Sequence, residues 1–142
     1  MNGVKVLWIE NHWGNIWQGM AGLVLDGANG FKVKNSKPYC DTPVSAADLT
    51  GYTATGIVLG GTNGGYVNAE KVDENGFVPK TVSGSATTYM CDGLWFNNSQ
   101  LDYPLVGGNW TFGAYCGSRY VSAGSAPSYV SHDIGSRPSY IP

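Results

Sequence analysis

Apolar residues recur at helical spacing in one persistent stretch, WIENHWGNIW (8–17), where Ile9, Trp13, Ile16 and Trp17 fall at i, i+4, i+7 and i+8. The spacing predicts a helix, kept short by Gly14. Ser45-Ala46-Ala47-Asp48 sets a hydroxyl three positions before an acid, a capping signature that predicts a second short helix. The remaining pattern is of strands and turns. Residues 20–25 and 31–34 flank Asp26-Gly27-Ala28-Asn29-Gly30 and predict a hairpin, with Lys32 and Lys34 on its water-facing side. Further strands are expected at 56–59 (GIVL) and 86–90 (ATTYM), set apart by the glycine turn at 60–65 and by Asp73-Glu74-Asn75-Gly76. Residues 91–102 (CDGLWFNNSQLD) mix aromatics with amides and read as a long connection of the kind that often carries function.

With 142 residues the chain is the length of one domain with its own core, so 1–142 is read as a single domain. Charged residues are 13% of it, aromatics 13%, and glycines number 21, which makes a turn-rich, neutral, aromatic globule rather than a disordered chain. The net charge of -2 excludes the basic surface that nucleic-acid binders use. No apolar run reaches membrane-spanning length, so no membrane insertion is expected, and the Met1 end lacks the apolar stretch of a signal peptide. Cys40, Cys91 and Cys116 match no zinc or redox spacing and are read as free thiols, with one disulfide as the alternative. The glycine turn at 60–65 is not followed by Lys-Ser/Thr and is not a phosphate loop.

The last 36 residues (107–142) contain no Lys, Glu, Gln or Met, whereas the first 106 contain fourteen, and both arginines, Arg119 and Arg137, lie in that last segment. Chance placement of this kind has a probability of roughly 2% on composition alone. A Gly/Ser/Tyr-rich strand-and-loop region that needs no long flexible side chains is one explanation. The other is recognition: Tyr115, Arg119, Tyr120, Tyr129 and His132 fall close together, and Tyr, Ser, Asn and Gly give large contact area and adaptable hydrogen bonds at low entropic cost. Asn codons randomised only at their adenines yield such residues and never Lys, Glu, Gln, Met or Trp. Trp110 alone departs from that rule.

Gly107-Gly108-Asn109-Trp110, Gly113-Ala114-Tyr115-Cys116-Gly117 and Ile134-Gly135-Ser136-Arg137-Pro138 resemble the C-terminal variable region of proteins diversified by diversity-generating retroelements. Upstream, Trp8-Ile9-Glu10-Asn11-His12-Trp13-Gly14-Asn15, Gly76-Phe77-Val78-Pro79-Lys80-Thr81 and 87–95 (TTYMCDGLW) resemble the scaffold of phage-tail and prophage members. The resemblance implies an α+β C-type lectin-like fold of the formylglycine-generating-enzyme type, strand- and loop-rich with one or two short helices. It also implies that 107–142 displays exchangeable side chains on a fixed frame. Gly108, Trp110, Gly113, Gly117, Ile134 and Gly135 are then expected as buried anchors. Thr111, Phe112, Tyr115, Ser118, Arg119, Tyr120, Tyr129, Ser131, His132 and Asp133 are expected on display, with Trp95 and Asn97 as neighbouring contacts. Phe112 and Tyr120 have core positions as their alternative, and Asp133 a simple turn role. Arg119 is read as a ligand contact, whereas Arg137 anchors the frame.

Similar phrases also resemble sulfatase-modifying oxidases, but those need two thiolates for a soft copper ion. Phe112 stands near the place of one and only Cys116 is present. No Gly-x-Ser-x-Gly elbow occurs, and His12 and His132 are the only histidines. The Glu-Pro-Asn, Gln-Pro-Asp and Trp-Asn-Asp signatures of calcium-dependent sugar binding are absent, leaving Asp92, Asn97, Asn98 and Asp102 as the acids and amides that could cluster. No cofactor, no metal and no catalysis are therefore expected. The expected function is ligand binding, with a host-surface protein or glycan as partner, by a receptor-recognition or adhesin domain on a phage or prophage tail or a bacterial cell surface. A trimeric tail tip is the family expectation for assembly, and the abrupt Met1 start reads as a fragment or a short member. The alternative is a structural virion or surface-assembly protein whose same face is buried between subunits.

Overall fold

A computed structural model describes residues 5–6, 9–10, 13–40, 45–59, 63–73, 76–88 and 92–135. Thirteen strands lie in it: β1 (Lys5–Val6), β2 (Ile9–Glu10), β3 (Trp17–Gly19), β4 (Leu23–Asp26), β5 (Phe31–Val33), β6 (Thr53–Ala54), β7 (Gly64–Asp73), β8 (Gly76–Gly84), β9 (Gly93–Phe96), β10 (Leu101–Asp102), β11 (Leu105–Val106), β12 (Val121–Ala123) and β13 (Ile134–Gly135). They form a small β1-β2 pair, a four-stranded sheet ordered β10-β4-β5-β6, and a seven-stranded sheet ordered β13-β3-β11-β12-β9-β7-β8. The fold is strand-rich with few helices. Among the described residues the helical part of the expected α+β class amounts to three 3-10 turns, Gly27–Asn29, Ala46–Asp48 and Gly113–Tyr115.

Side chains alternate across a strand, and the sheet sorts its residues accordingly. Leu94 and Phe96 on β9, Val121 and Ala123 on β12, Val67 on β7 and Val78 on β8 turn inward against Leu25 and Phe31 of the smaller sheet and against Ile57 and Leu59. Phe31 and Phe96 are completely enclosed, each worth about 2–3 kcal/mol of apolar burial. The opposite face of the large sheet carries a second, smaller cluster of Trp17, Leu105 and Tyr120, with Tyr103, Cys116 and Ile134 packed against it.

The hairpin expected at 20–34 is present as β4 and β5, with Leu23 opposite Val33 and Leu25 opposite Phe31. Lys32 departs from its water-facing expectation, because its ammonium lies 2.5 Å from the Asp26 carboxylate in a partly buried pair. Ser45 and Asp48 close the expected capping box, though the helix is a single 3-10 turn. The helix expected over 8–17 does not form in the described residues: Ile9–Glu10 and Trp17–Gly19 are strands, and Asn15 bridges Asn109. Gly14 has φ +75°, outside the right-handed helical region, and Trp17 is drawn into the sheet by Tyr120 and Phe112. Residues 56–59 run as an irregular segment, and 86–88 turn back on Ser85, whose carbonyl accepts Thr88 N–H. The connection expected at 91–102 contains β9, an interior strand of the large sheet. The longest strand pair, β7-β8, has Asp73 opposite Gly76 and irregular register between Tyr66 and Glu70.

Asp102 stands out energetically. Its side chain is fully buried, Gln100 Nε2 donates to Oδ1 at 2.5 Å, and among the described residues Oδ2 has no partner. Burial pushes its carboxyl up from 3.8 to about 6, with the Gln100 hydrogen bond opposing. The folded state therefore holds the proton where the unfolded chain has released it. Stability is full below about pH 4 and falls as pH rises through about 6. Chemical denaturation from pH 4 to 7 should show a loss on the order of 2 kcal/mol, and Asp102→Asn should flatten that slope; an unchanged slope in the variant would refute the assignment.

Candidate functional site

The segment expected to display side chains leaves and re-enters the sheet on the two sides of one strand. Leu105 and Val106 of β11 pair antiparallel with Gly19 and Gln18 of β3, while Ile134 and Gly135 of β13 pair parallel with Trp17 and Gln18 on its other edge. Residues 107–133 form a closed excursion whose middle adds β12 between β11 and β9.

Asn109 ties the excursion together from inside. Its buried side chain donates through Nδ2 to the Asp133 carboxylate, while Oδ1 accepts Thr111 N–H at 3.0 Å and the Thr111 hydroxyl at 2.7 Å. Its carbonyl accepts the Cys116 thiol at 3.0 Å, and its backbone bridges Asn15. One residue thus ties positions 111 and 133 through its side chain and 116 through its backbone carbonyl. Hydrogen bonds from Ser131 and Asn109 hold the Asp133 carboxyl below its ordinary range. Burial holds the Cys116 thiol above its own, so it stays protonated at neutral pH.

Tyr120 is the packed base of this surface. At 3% exposure it is not displayed, which corrects its assignment as a ligand contact, and the core alternative holds. Its ring meets Trp17 at 4.8 Å, Phe112 at 5.6 Å and Tyr115 at 6.3 Å, and burial raises its hydroxyl pKa well above the usual phenol range. Glycines make room for the rings. A β-carbon on Gly93 would lie 2.7 Å from Tyr120 and 2.8 Å from Tyr115, and one on Gly108 2.8 Å from Tyr120, closer than real β-carbons come. Gly19 stands in the same relation to Tyr103, and Gly64 to Trp95.

Above this base lies a ridge. Trp110, Thr111, Phe112 and Tyr115 are exposed on it, so Trp110 is no buried anchor; its ring is 41% exposed and faces His132 at 5.9 Å. Gly113 is likewise not packed, with open space where a side chain would project. Of the expected anchors, Gly108 and Gly117 are buried, against Tyr120 and Cys116 and against the Asp92 carboxylate respectively, while Ile134 and Gly135 are half-buried in β13. Tyr115 stacks on Tyr66 with centroids 4.3 Å apart and planes at 7°. Ser118 is exposed.

Arg119 differs from a free contact residue. Its guanidinium lies 3.2 Å from the carboxylate of Glu70, which is almost wholly buried, and its N–H donates to Asp92 at 2.8 Å. Ser131 is half-buried, with its carbonyl accepting Ile134 N–H, while His132 is exposed. Tyr129, exposed, sits apart beside Tyr103, Leu105 and Ile134, at a cleft of about 160 Å³. Trp95 is 56% exposed on β9, two residues along the same face from Gly93, and Asn97 closes a turn in which its Oδ1 accepts Ser99 N–H and hydroxyl. The exposed expected contacts are thus the ridge, with Trp110 against His132, Tyr129 beside Tyr103, and Trp95 on β9. Tyr66, Glu70 and Asn109, which sequence reasoning did not select, are structural partners of the ridge.

The acids and amides considered for calcium are separately engaged: Asp92 with the 117–119 turn, Asn97 with Ser99, Asn98 with the Leu59 carbonyl at 3.0 Å, and Asp102 with Gln100. Arg137 and Ser136, His12 and Cys91 lie outside the described residues. No family model, curated protein or solved structure matches the chain.

Base and ridge should separate in mutational energetics. Tyr120→Ala removes a buried ring and should cost about 3–5 kcal/mol. Ser118→Ala and Tyr129→Ala should stay within about 0.5 kcal/mol. Denaturant titrations decide, and equal costs for Tyr120→Ala and Tyr129→Ala would contradict the division.

Proposed function

We propose that this chain is a non-catalytic recognition domain whose ridge, residues 110–119 with His132, meets a ligand. The observation that carries the reading is the closed excursion: 107–133 is clamped at both ends on β3 and tied internally by Asn109, yet it leaves Trp110, Thr111, Phe112, Tyr115, Ser118 and His132 exposed. Exposed aromatics on a backbone fixed from below bring large contact area with little ordering cost on binding. The absence of Lys, Glu, Gln and Met from the segment agrees with the composition of an exchangeable surface. This supports the resemblance to diversity-generating retroelement variable proteins and, with it, a C-type lectin-like fold displayed on a phage or prophage tail or a bacterial surface. A host-surface protein or glycan is then the partner, and repetition on a trimeric tip would multiply a weak contact.

A protonated, hydrogen-bonded Cys116 favours binding over thiolate chemistry. The structural alternative keeps one specific support, because a ridge of exposed Trp110, Phe112 and Tyr115 could equally pack on a sister subunit.

Labelled protein should bind saturably to intact cells of some bacterial strain in a panel. The double variant Trp110→Ser/Phe112→Ser should lose at least about tenfold in affinity while still unfolding cooperatively. If no strain is bound and the same substitutions dissolve an oligomer in sedimentation, the subunit-interface reading replaces this one.

A further inference from the structure

We infer that the cleft between the edges of the two sheets binds a small organic anion with an apolar body. β6 and β8 are edge strands of the four- and seven-stranded sheets. Between the 55–58 segment that follows β6 and the β7-β8 pair lies a cleft of about 680 Å³, a volume in the range of small-molecule sites. A bulge shapes it. Ala69 stands opposite Thr81 and Glu70 opposite Pro79, so Lys80 has no register partner of its own. Successive residues of a regular strand face opposite sides, whereas Lys80 and Thr81 both border the cleft, the re-aiming of side chains that bulges produce. From β7, Lys71 reaches the other wall, its Nζ donating to the Thr55 carbonyl at 2.6 Å, so that this ammonium is held in place.

Charge and wall chemistry together select the occupant. The chain has six lysines, and two of them line this one cleft. Lys80 is exposed and among the described residues has no ion-pair partner. Glu70 is the one acid in the lining, and its nearly buried carboxylate is neutralised by the Arg119 guanidinium at 3.2 Å. The Thr55 and Thr81 hydroxyls donate to the Phe31 carbonyl and to Asn68, so the two ammonium groups set the electrostatics of the cleft. Apolar surface lies beside them. Val58 is 61% exposed, Ile57 lies in the same wall, and Gly56, at φ +75°, has open space where a side chain would project. The lysine stems add methylenes to this surface. A cation would meet two like charges, and an inorganic anion would leave the apolar wall uncovered. An anion with a hydrocarbon or aromatic body answers both, its acid group against the lysines and its body against Val58. None of the lining residues lies in 107–133, so the inference does not rest on the ridge.

Fluorescence titration with anilinonaphthalene sulfonate and with its uncharged counterpart N-phenylnaphthylamine tests this. Wild type should bind the sulfonate saturably at one site, at least about fivefold more tightly than the amine. Lys80→Gln should weaken sulfonate binding at least about threefold and leave amine binding unchanged, and Lys80→Arg should retain the wild-type preference. Val58→Asp, which replaces the apolar wall with a charge, should weaken the binding of both dyes. Both positions are exposed, so melting temperatures should stay within about 3 °C of wild type. The Trp110→Ser/Phe112→Ser variant should keep the sulfonate affinity, which separates this site from dye adhering to the ridge. Absence of saturable sulfonate binding, equal affinity for the two dyes, a folded Lys80→Gln chain that binds as well as wild type, or loss of binding in the ridge variant overturns the inference.

Discussion

The missing β-carbons on the outer face of the seven-stranded sheet are the constraint on which the rest depends. Tyr103 lies on Gly19, Trp95 on Gly64, and Tyr115 and Tyr120 on Gly93, while Gly108, just past β11, makes the same room for Tyr120 and Cys116. Aromatic rings can settle flat on a sheet only where the strands beneath have nothing to project. That relation gives the unusual pairing of many glycines with many aromatics a physical meaning. It builds a hydrophobic layer with few aliphatic residues, and it sets backbone close enough to ring for dispersion contacts to accumulate. The inner face works differently, with the familiar interdigitation of Leu, Val and Phe side chains between two sheets.

On this floor the excursion from β11 to β13 is held by polar means. Asn109 satisfies donors and acceptors on three distant parts of the segment, and Glu70 and Asp92 hold the turn around Arg119. Buried polar groups of this kind specify one arrangement of backbone more than they add net stability. Removing one partner leaves the other unsatisfied, so these positions resist change. On the ridge the Thr111 hydroxyl bonds Asn109 and Arg119 pairs with Glu70, while Trp110, Phe112, Tyr115 and Ser118 carry exposed surface. A surface that recognises different ligands by exchanging side chains requires this separation between what holds the loop and what faces outward.

Much of this was legible in the sequence, and the failures have identifiable causes. The β4-β5 hairpin was readable because turn chemistry and alternation agree there. The boundary of the excursion was readable too, since the change in composition begins at Gly107, directly after β11. The helix over 8–17 failed because Trp17 is recruited by Phe112 and Tyr120, more than ninety residues away, and partners at that distance leave no trace in local periodicity. Tyr120 and Trp110 exchanged their expected places for a related reason. Tyr120, which directly precedes β12, is buried against Trp17, Phe112 and Tyr115, whereas Trp110 meets His132 at the exposed end of the segment, and no local pattern separates the two. Glu70 and Tyr66 lie in the long β7-β8 hairpin, whose irregular register blurs the alternation that would have marked them. Alternation of Tyr66, Asn68 and Glu70 along 66–70 was the one available signal.

The most direct measurement is the folded fraction of a library randomised together at Thr111, Tyr115, Ser118 and His132, read by resistance to protease on a display system, beside a second library randomised at Gly93, Gly108, Asn109 and Tyr120. A glycine-floored base beneath an exchangeable ridge predicts that a large share of the first library folds and almost none of the second. Comparable survival in the two libraries, or collapse of the first, would contradict it.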